Sequence, residues 1–335
     1  MATLHKYYTE FNTKIKLNND TKEGLLKSKR SIEDKIKKYF GEEKPKELQP
    51  IFAGQGSFEM NTTVNPIPVY DKENEKKLYK YDLDDGVYFI ERENENNMKS
   101  INTWHSWVYE AVDGHTNTST NTKSTCVRVN FADGHHIDLP IYYLNNINTS
   151  LAHKSKGWIK SNPTEFTEWF NKKAKDNQQL RKIVRFLKAW KNFREIKNSN
   201  LKFPSGFSLT ILAVKNYIAD DGYDISFLET IKSIQNSLNI KFECKRPTTP
   251  ENEDVFEYFS VKRKNDFLNA LDNLIKDLEN AKNEENYKKA TEYVQKHFGD
   301  RFPIGKDKDE NINNKKLSSF LGATHLKPKP YSHEW

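Results

Sequence analysis

Cysteine is scarce in this chain, which contains only Cys126 and Cys244 among its 335 residues. One widely separated pair provides neither a disulfide framework nor the ligand spacing of a zinc site, which argues against a disulfide-rich secreted scaffold and a zinc-finger module. The chain also lacks an apolar run long enough to span a bilayer, and its first residues do not resemble a secretory signal. These absences predict a cytoplasmic protein that has no membrane partner.

Charge is abundant by contrast. Charged residues make up 30% of the chain and aromatic residues 13%, which is typical of a globular rather than a disordered protein. The length allows one large or two ordinary domains, and either can bury a sizeable core. The formal net charge of +7 favours anionic partners, among which nucleoside triphosphates, RNA and DNA all qualify.

A short glycine-rich turn, Gly54-Gln55-Gly56-Ser57, follows the apolar stretch 51–53. Glycines allow backbone N–H groups to approach a phosphate closely, and the Ser57 hydroxyl adds a further donor. Taken alone, such a sequence is more often an ordinary turn. It indicates a phosphate site only when other features support one.

Three aspartates supply that support. Asp82 and Asp84 lie in a predicted strand over 80–90, where alternation places both carboxylates on one face, roughly 6–7 Å apart. Asp138 lies in the alternating stretch 135–141, which an Asp-Gly hairpin signal connects to the preceding strand. Three carboxylates on neighbouring strands form an oxygen-rich site that suits Mg²⁺ or Mn²⁺. We therefore predict a metal-dependent nucleoside triphosphate site.

The combination of Gly56-Ser57, Asp82-x-Asp84 and Asp138 resembles the nucleotidyltransferases of the polymerase-β superfamily. The variants Gln-Gly-Ser-Phe and Asp-Leu-Asp-Asp-Gly are similar to those of bacterial CD-NTases, the cyclic-oligonucleotide synthases of CBASS antiphage systems. The stretches 157–163, 169–170 and 298–303 are also similar to this family, so the resemblance covers residues 50–303. One departure is the long gap between Ser57 and Asp82, where we predict that the charged stretch 70–77 is a loop insertion.

The resemblance implies an α+β fold. A polymerase-β-like nucleotidyltransferase core, with a mixed sheet and flanking helices, would pack against a C-terminal helical domain, and the active site would lie in the cleft between them. We expect N-terminal helices and the core in 1–160, the helical domain in 161–303, and a charged linker and tail in 304–335.

The resemblance also implies the roles of the motif residues. Asp82, Asp84 and Asp138 are the expected catalytic residues and the ligands of two Mg²⁺ (or Mn²⁺) ions per site, and Asp138 assists the acceptor hydroxyl. Gln55, Gly56 and Ser57 are expected to bind the nucleotide.

Four further nucleotide-binding candidates lie in the predicted helical domain. Arg185 and Lys188 are three residues apart on a predicted helix, and 2′-5′-oligoadenylate synthases have a similar Arg-x-x-Lys pair that faces nucleotide. Ser205 and Phe207 match by position a turn of cyclic GMP-AMP synthase and its relatives in which an aromatic ring stacks on a base, although Gly206 replaces a larger residue. The alternatives are a solvated basic edge for the first pair and a core position for Phe207.

The implied function is synthesis of a cyclic oligonucleotide second messenger from ATP, GTP or both, with other NTPs left open. A cyclic purine dinucleotide such as cyclic GMP-AMP is the expected product, and a trinucleotide is the alternative. The expected partners are a downstream effector that senses the product and regulatory CBASS proteins, and nucleic acid is not required. Two other functions stay open: a nucleotidyltransferase that makes linear oligonucleotides or acts on RNA, and a non-catalytic nucleic-acid-binding module on the same fold.

Overall fold

The computed structural model describes residues 3–73, 75–92, 97–145 and 148–308. Most of the predicted tail, from residue 309 onward, therefore lies outside the described residues. None of the helices within the described ranges is both long enough and apolar enough to cross a bilayer.

Two amphipathic helices open the chain, where N-terminal helices were predicted. Helix α1 (His5–Ile15) has 11 residues, and helix α2 (Asn19–Glu43) has 25. The side chain of Asn18 caps α2 by accepting a hydrogen bond from the backbone N–H of Thr21 at 2.8 Å.

A mixed seven-stranded sheet forms the centre of the first half. Its strands are β1 (Ile51–Gln55), β4 (Asp82–Ile90), β5 (Thr120–Thr122), β6 (Cys126–Asn130), β7 (His136–Asn145), β8 (Asn148–His153) and β9 (Gly157–Lys160), while β2 (Val69–Asp71) and β3 (Lys76–Leu78) form a separate hairpin. In the main sheet β1, β4, β7, β6 and β5 lie side by side in that order, β8 pairs with β7, and β9 pairs with β8. The central pair, β4 and β7, is parallel, whereas its neighbouring pairs are antiparallel. Helix α3 (Gly56–Glu59) follows β1, and helix α4 (Ile101–Val112) follows β4.

The predicted loop insertion and one further polar stretch contain short strands. The charged insertion 70–77 forms most of an antiparallel hairpin of β2 (Val69–Asp71) and β3 (Lys76–Leu78), whose charged side chains suit an exposed two-stranded ribbon. The Thr/Asn-rich segment before β6 contains β5, because threonine fits a pleated edge and the hydroxyls of Thr116 and Thr118 both donate to the Asn130 carbonyl.

Helices form the second half of the described chain. They are α5 (Pro163–Lys173), α6 (Gln178–Lys197), α7 (Gly206–Asn216), α8 (Tyr223–Ile240), α9 (Val261–Asn283) and α10 (Tyr287–Phe298), followed by a 3-10 turn (Gly299–Arg301). Asn162 caps α5 and Pro163 occupies its first position, as the sequence predicts.

The apolar side chains form two cores. One lies between the sheet, α2 and α4, and the other lies among the helices of the second half. Helix α1 packs in the helical core through Tyr8, Phe11 and Ile15, although we grouped it with the sheet in 1–160. The predicted domain boundary at residue 160 stays a prediction. Helix α1 precedes this boundary in the chain but packs with the helices that follow it.

Candidate active site

The three aspartates lie on the two parallel central strands. The register of β4 and β7 places Asp84 beside Asp138 and Asp82 beside His136. One ligand atom from each of Asp82, His136 and Asp138 lies within 4.8 Å of the other two. The parallel pairing thus brings the predicted carboxylates to one place.

The carboxylate of Asp84 is held in an unfavourable electrostatic environment. Burial raises its pKa well above the usual range, and repulsion from Asp82 and Asp138 adds to the rise. A divalent cation would relieve this repulsion, and carboxylate oxygens are the ligands that Mg²⁺ and Mn²⁺ prefer. The residues therefore fit a divalent cation: ligand atoms of Asp82, His136 and Asp138 lie together, and Asp84 lies beside Asp138 in the strand register. The roles of Asp82, Asp84 and Asp138 as the metal ligands stay a prediction.

Gly56 is required by its contact with Asp84. Its φ is +71°, and a Cβ atom at this position would lie 2.4 Å from Asp84 Oδ2. Glycine is the residue that tolerates both this backbone conformation and this approach. The turn after β1 can thus lie directly against Asp84 on β4.

Two contacts at the carboxylates were not expected from the sequence. Arg128 on β6 donates from Nε to Asp138 Oδ1 at 2.6 Å and from Nη2 to Asp138 Oδ2 at 2.7 Å. His136 Nε2 lies 3.0 Å from Asp82 Oδ1. Arg128 pairs in register with Asp138, so correct alignment of the β6–β7 hairpin would have revealed it.

Two tyrosines contact the side chain of Gln55 in the glycine-rich turn. Gln55 is buried, its Nε2 donates to Tyr142 Oη, and its Oε1 accepts from Tyr88 Oη, both at 3.4 Å. The two tyrosine rings stack with centroids 4.7 Å apart. Next in the chain, Ser57 Oγ lies 3.1 Å from Thr63 Oγ1. The tyrosine pair therefore fixes the orientation of the Gln55 amide.

Of the predicted basic pair, Lys188 reaches the site and Arg185 does not. Lys188 Nζ donates to Thr62 Oγ1 at 2.9 Å, and burial, with repulsion from Arg185, lowers the pKa of Lys188 to about 7. Arg185 is buried and donates to Asn12 Oδ1 at 3.0 Å and to the Asn61 carbonyl at 2.7 Å. Its guanidinium joins α6 to α1 and to the loop after α3, which is a structural use.

Ser205 and Phe207, the two residues of the predicted stacking turn, have different roles in the structure. Ser205 is the N-cap of α7, where it accepts from the backbone N–H of Ser208, and it does not line the cavity. The Phe207 ring lies 4.4 Å from that of Phe166, and the Arg246 guanidinium lies 5.1 Å from the Phe207 centroid. Arg246 comes from a distant loop, and no local sequence signal marked it.

These groups enclose one cavity of about 490 Å³ between the sheet and the helices. Its lining consists of Gln55, Gly56, Ser57, Met60, Asp82, Asp84, Pro163, Phe166, Lys188, Gly206, Phe207 and Arg246. It combines carboxylates for metal, donors for phosphate and an aromatic face for a base, and its volume is within the ~300–1,000 Å³ typical of small-molecule sites.

Comparison with known proteins gives two family matches. Residues 50–142 match the nucleotidyltransferase domain of the family described as cyclic GMP-AMP synthase DncV-like, and residues 177–308 match the cyclic GMP-AMP synthase C-terminal domain. The cyclic GMP-AMP synthase of Escherichia albertii is 26% identical over 206 residues, which cover 59% of this chain and 44% of that protein. The Vibrio cholerae cyclic GMP-AMP synthase is 24% identical over an alignment 321 residues long, and the alignment covers 76% of this chain and 68% of that protein.

Solved structures agree on the fold. The GTP-bound form of Vibrio cholerae DncV matches with a TM-score of 0.76 and 21% identity, over 90% of this chain and 96% of that one. DncV in complex with the linear intermediate 5′-pppA(3′,5′)pG matches with a TM-score of 0.72 and 23% identity, over 90% and 97%. At these identities the likeness establishes the fold, and it confirms the predicted architecture of a nucleotidyltransferase core with a C-terminal helical domain.

Proposed function

Because this chain belongs to the DncV-like family of CD-NTase nucleotidyltransferases, we propose that it joins NTPs into a cyclic purine dinucleotide such as cyclic GMP-AMP. The observation that carries the proposal is the single cavity in which Asp82 and Asp84, Lys188 and Phe207 meet. A donor triphosphate needs the carboxylates of Asp82 and Asp84 and the cation of Lys188. Selection of a purine benefits from the aromatic ring of Phe207.

In the proposed reaction, a ribose hydroxyl of the acceptor attacks the α-phosphorus of the donor NTP. The new bond forms between the hydroxyl oxygen and phosphorus, the bond to the β-phosphate oxygen breaks, pyrophosphate leaves, and the hydroxyl proton passes to Asp138. Mg²⁺ or Mn²⁺, when bound by the aspartates, would neutralise the triphosphate and lower the pKa of that hydroxyl.

The other residues position the reactants. Ser57 and the backbone of Gly56 contact the donor phosphates, and Lys188 adds a cation from the helical side. Arg128 donates to both oxygens of Asp138 and thereby fixes the orientation of that carboxylate. Phe207 stacks on one base, backed by Phe166. A second, intramolecular transfer closes the ring.

The test is incubation with all four labelled NTPs and Mg²⁺ or Mn²⁺, followed by phosphatase treatment and mass analysis. We expect a phosphatase-resistant cyclic product, and the Asp82→Asn/Asp84→Asn variant should not form it although it keeps the shape of both side chains. Phosphatase-sensitive linear products would instead support a linear nucleotidyltransferase. Absence of any product from folded protein that binds GTP with Mn²⁺ would contradict the proposal.

The wider role follows from the proposed product. A cyclic nucleotide acts only when another protein senses it, so we infer a downstream effector, together with regulatory proteins, in an antiviral CBASS system of the cytoplasm. The family resemblance supports this role. A plaque assay on bacteria that express this chain with its effector, with the Asp82→Asn/Asp84→Asn variant as the control, tests it.

A further inference from the structure

Helix α6 presents one face of basic side chains to the segment 60–62, which follows α3 directly. Each of three basic residues donates to a different residue of this segment, and the pairs are Arg181 to the Met60 carbonyl, Arg185 to the Asn61 carbonyl and Lys188 to the Thr62 hydroxyl. Residues three and four apart share a helix face, so consecutive turns of α6 meet consecutive residues of the segment. The segment therefore joins the glycine-rich turn of the sheet half to the helical half.

The backbone of this segment is fixed by the end of α3. The helix ends in a Schellman motif, in which Asn61 has a φ of +55° and its N–H donates to the Phe58 carbonyl at 3.0 Å. The N–H of Thr62 donates to the Ser57 carbonyl at 2.8 Å, which is the second hydrogen bond of the motif. Asparagine is one of the residues that tolerate this left-handed conformation. The motif therefore places Thr62 directly against Ser57.

The Thr62 hydroxyl links two residues of the proposed triphosphate site. It accepts a hydrogen bond from Lys188 Nζ at 2.9 Å and donates one to the Ser57 carbonyl at 3.4 Å. The Thr62 carbonyl is a weaker second acceptor for Nζ, at 3.5 Å. Ser57 and Lys188 line the active-site cavity, whereas Thr62 is fully buried and does not line it. Thr62 can therefore influence a ligand only through these two neighbours.

The position of the Lys188 ammonium depends on this contact. The two oxygen atoms of Thr62 are the only acceptors that Nζ has among the residues that the structure describes. Gly206 packs against the stem but contributes no side chain, and a Cβ atom there would lie 3.4 Å from Lys188 Cε. The stem of a lysine is flexible, and an ammonium has three N–H donors. Lys188 Nζ can therefore hold Thr62 and still donate to a phosphate.

We propose that Thr62 is a positioning residue for the nucleotidyl transfer. Its hydroxyl holds the Lys188 ammonium beside Ser57, where both groups contact the donor triphosphate. Without that acceptor the nucleotide itself would have to order the lysine side chain, and binding would be weaker by the entropy of that ordering. The inference rests on the proposed function, because it assigns Lys188 to the triphosphate.

The test is a double-mutant cycle between Thr62 and Lys188, measured by titration calorimetry with Mn²⁺ and guanosine 5′-(α,β-methylene)triphosphate. The methylene bridge prevents the loss of pyrophosphate, so binding is measured without turnover. Thr62→Val keeps the shape of the side chain and removes the hydroxyl, and we expect it to weaken binding at least about fivefold. In the Lys188→Met background the same substitution should change the affinity by less than about twofold, because the group that Thr62 positions is absent.

Two controls separate positioning from stability. Thr62→Ser restores the hydroxyl and should bind the analogue within about twofold of the wild type, whereas Thr62→Ala lacks it and should behave like Thr62→Val. Thr291→Val is the matched core control, because Thr291 is fully buried, its hydroxyl accepts from the Gly305 N–H at 2.7 Å, and it lies outside the cavity. Thr291→Val should lower the urea unfolding midpoint and leave the affinity for the analogue unchanged.

Equal weakening by Thr62→Val in the wild-type and Lys188→Met backgrounds would overturn the inference, because the effect would then not pass through the ammonium. Unchanged binding by folded Thr62→Val or Thr62→Ala would also overturn it, as would a loss of affinity in Thr62→Ser as large as that in Thr62→Val. Absence of analogue binding by the wild type would instead contradict the proposed function, and this inference would fail with it.

Discussion

Replacement of Gly56 by alanine should show whether the position of Asp84 controls the reaction rate independently of the stability of the fold. The new methyl group would lie 2.4 Å from Asp84 Oδ2, whereas a carbon–oxygen contact needs about 3.3 Å, so one of the two groups must move by about 1 Å. A displacement of this size in a reacting constellation costs about 100-fold in rate. The positive φ adds a strain of about 1–2 kcal/mol to the folded state.

Gly114→Ala is the matched control for this prediction. Gly114 has a φ of +64°, but its Cβ position has no atom within 4 Å, so alanine there incurs the backbone strain without the contact. We expect both variants to lose about 1–2 kcal/mol in urea unfolding, and only Gly56→Ala to lose about 100-fold in the kcat of product formation at saturating Mg²⁺. Equal turnover by the two folded variants would refute the idea that Gly56 sets the position of Asp84.

Three other predictions concern the phosphate, base and core contacts. Because the pKa of Lys188 is about 7, its charge is lost as the pH rises through that value, so GTP affinity should fall between about pH 6 and about pH 8 more steeply in the wild type than in Lys188→Gln. Phe207→Leu should weaken nucleotide binding by about 1–3 kcal/mol in a titration, whereas Phe207→Tyr should retain most of it. Lys29 pairs with the fully buried Asp85 at 3.1 Å, so Lys29→Met should cost about 3–5 kcal/mol in urea unfolding. That loss should shrink as the pH falls and Asp85 takes up a proton, and a pH-independent loss would contradict the assignment.

The parts of the site that follow from local periodicity could be predicted from the sequence. Alternation along the strands and an Asp-Gly turn were enough to place Asp82, Asp84 and Asp138 on adjacent strands, and the family resemblance that these motifs suggested is confirmed by the family matches. Their roles as metal ligands stay a prediction.

The rest of the site depends on partners that sequence spacing does not reveal. Arg185 has the expected residue type and helix position, but Asn12 and the Asn61 carbonyl bind its guanidinium. Ser205 likewise caps a helix. Arg246 reaches Phe207 only because a distant loop folds over the cavity. In each case, long-range packing decides which polar group is free to meet a ligand.

The buried contact between Lys29 and Asp85 has a mechanical consequence. Helix α2 is about 37 Å long, and Lys29, near its middle, pairs with Asp85 on the strand that carries Asp84. Sliding of the helix over the sheet would strand a buried carboxylate without its counter-ion, at a cost of several kcal/mol. The ion pair therefore fixes the register of α2 against β4, which the apolar core between them alone would leave free to slide.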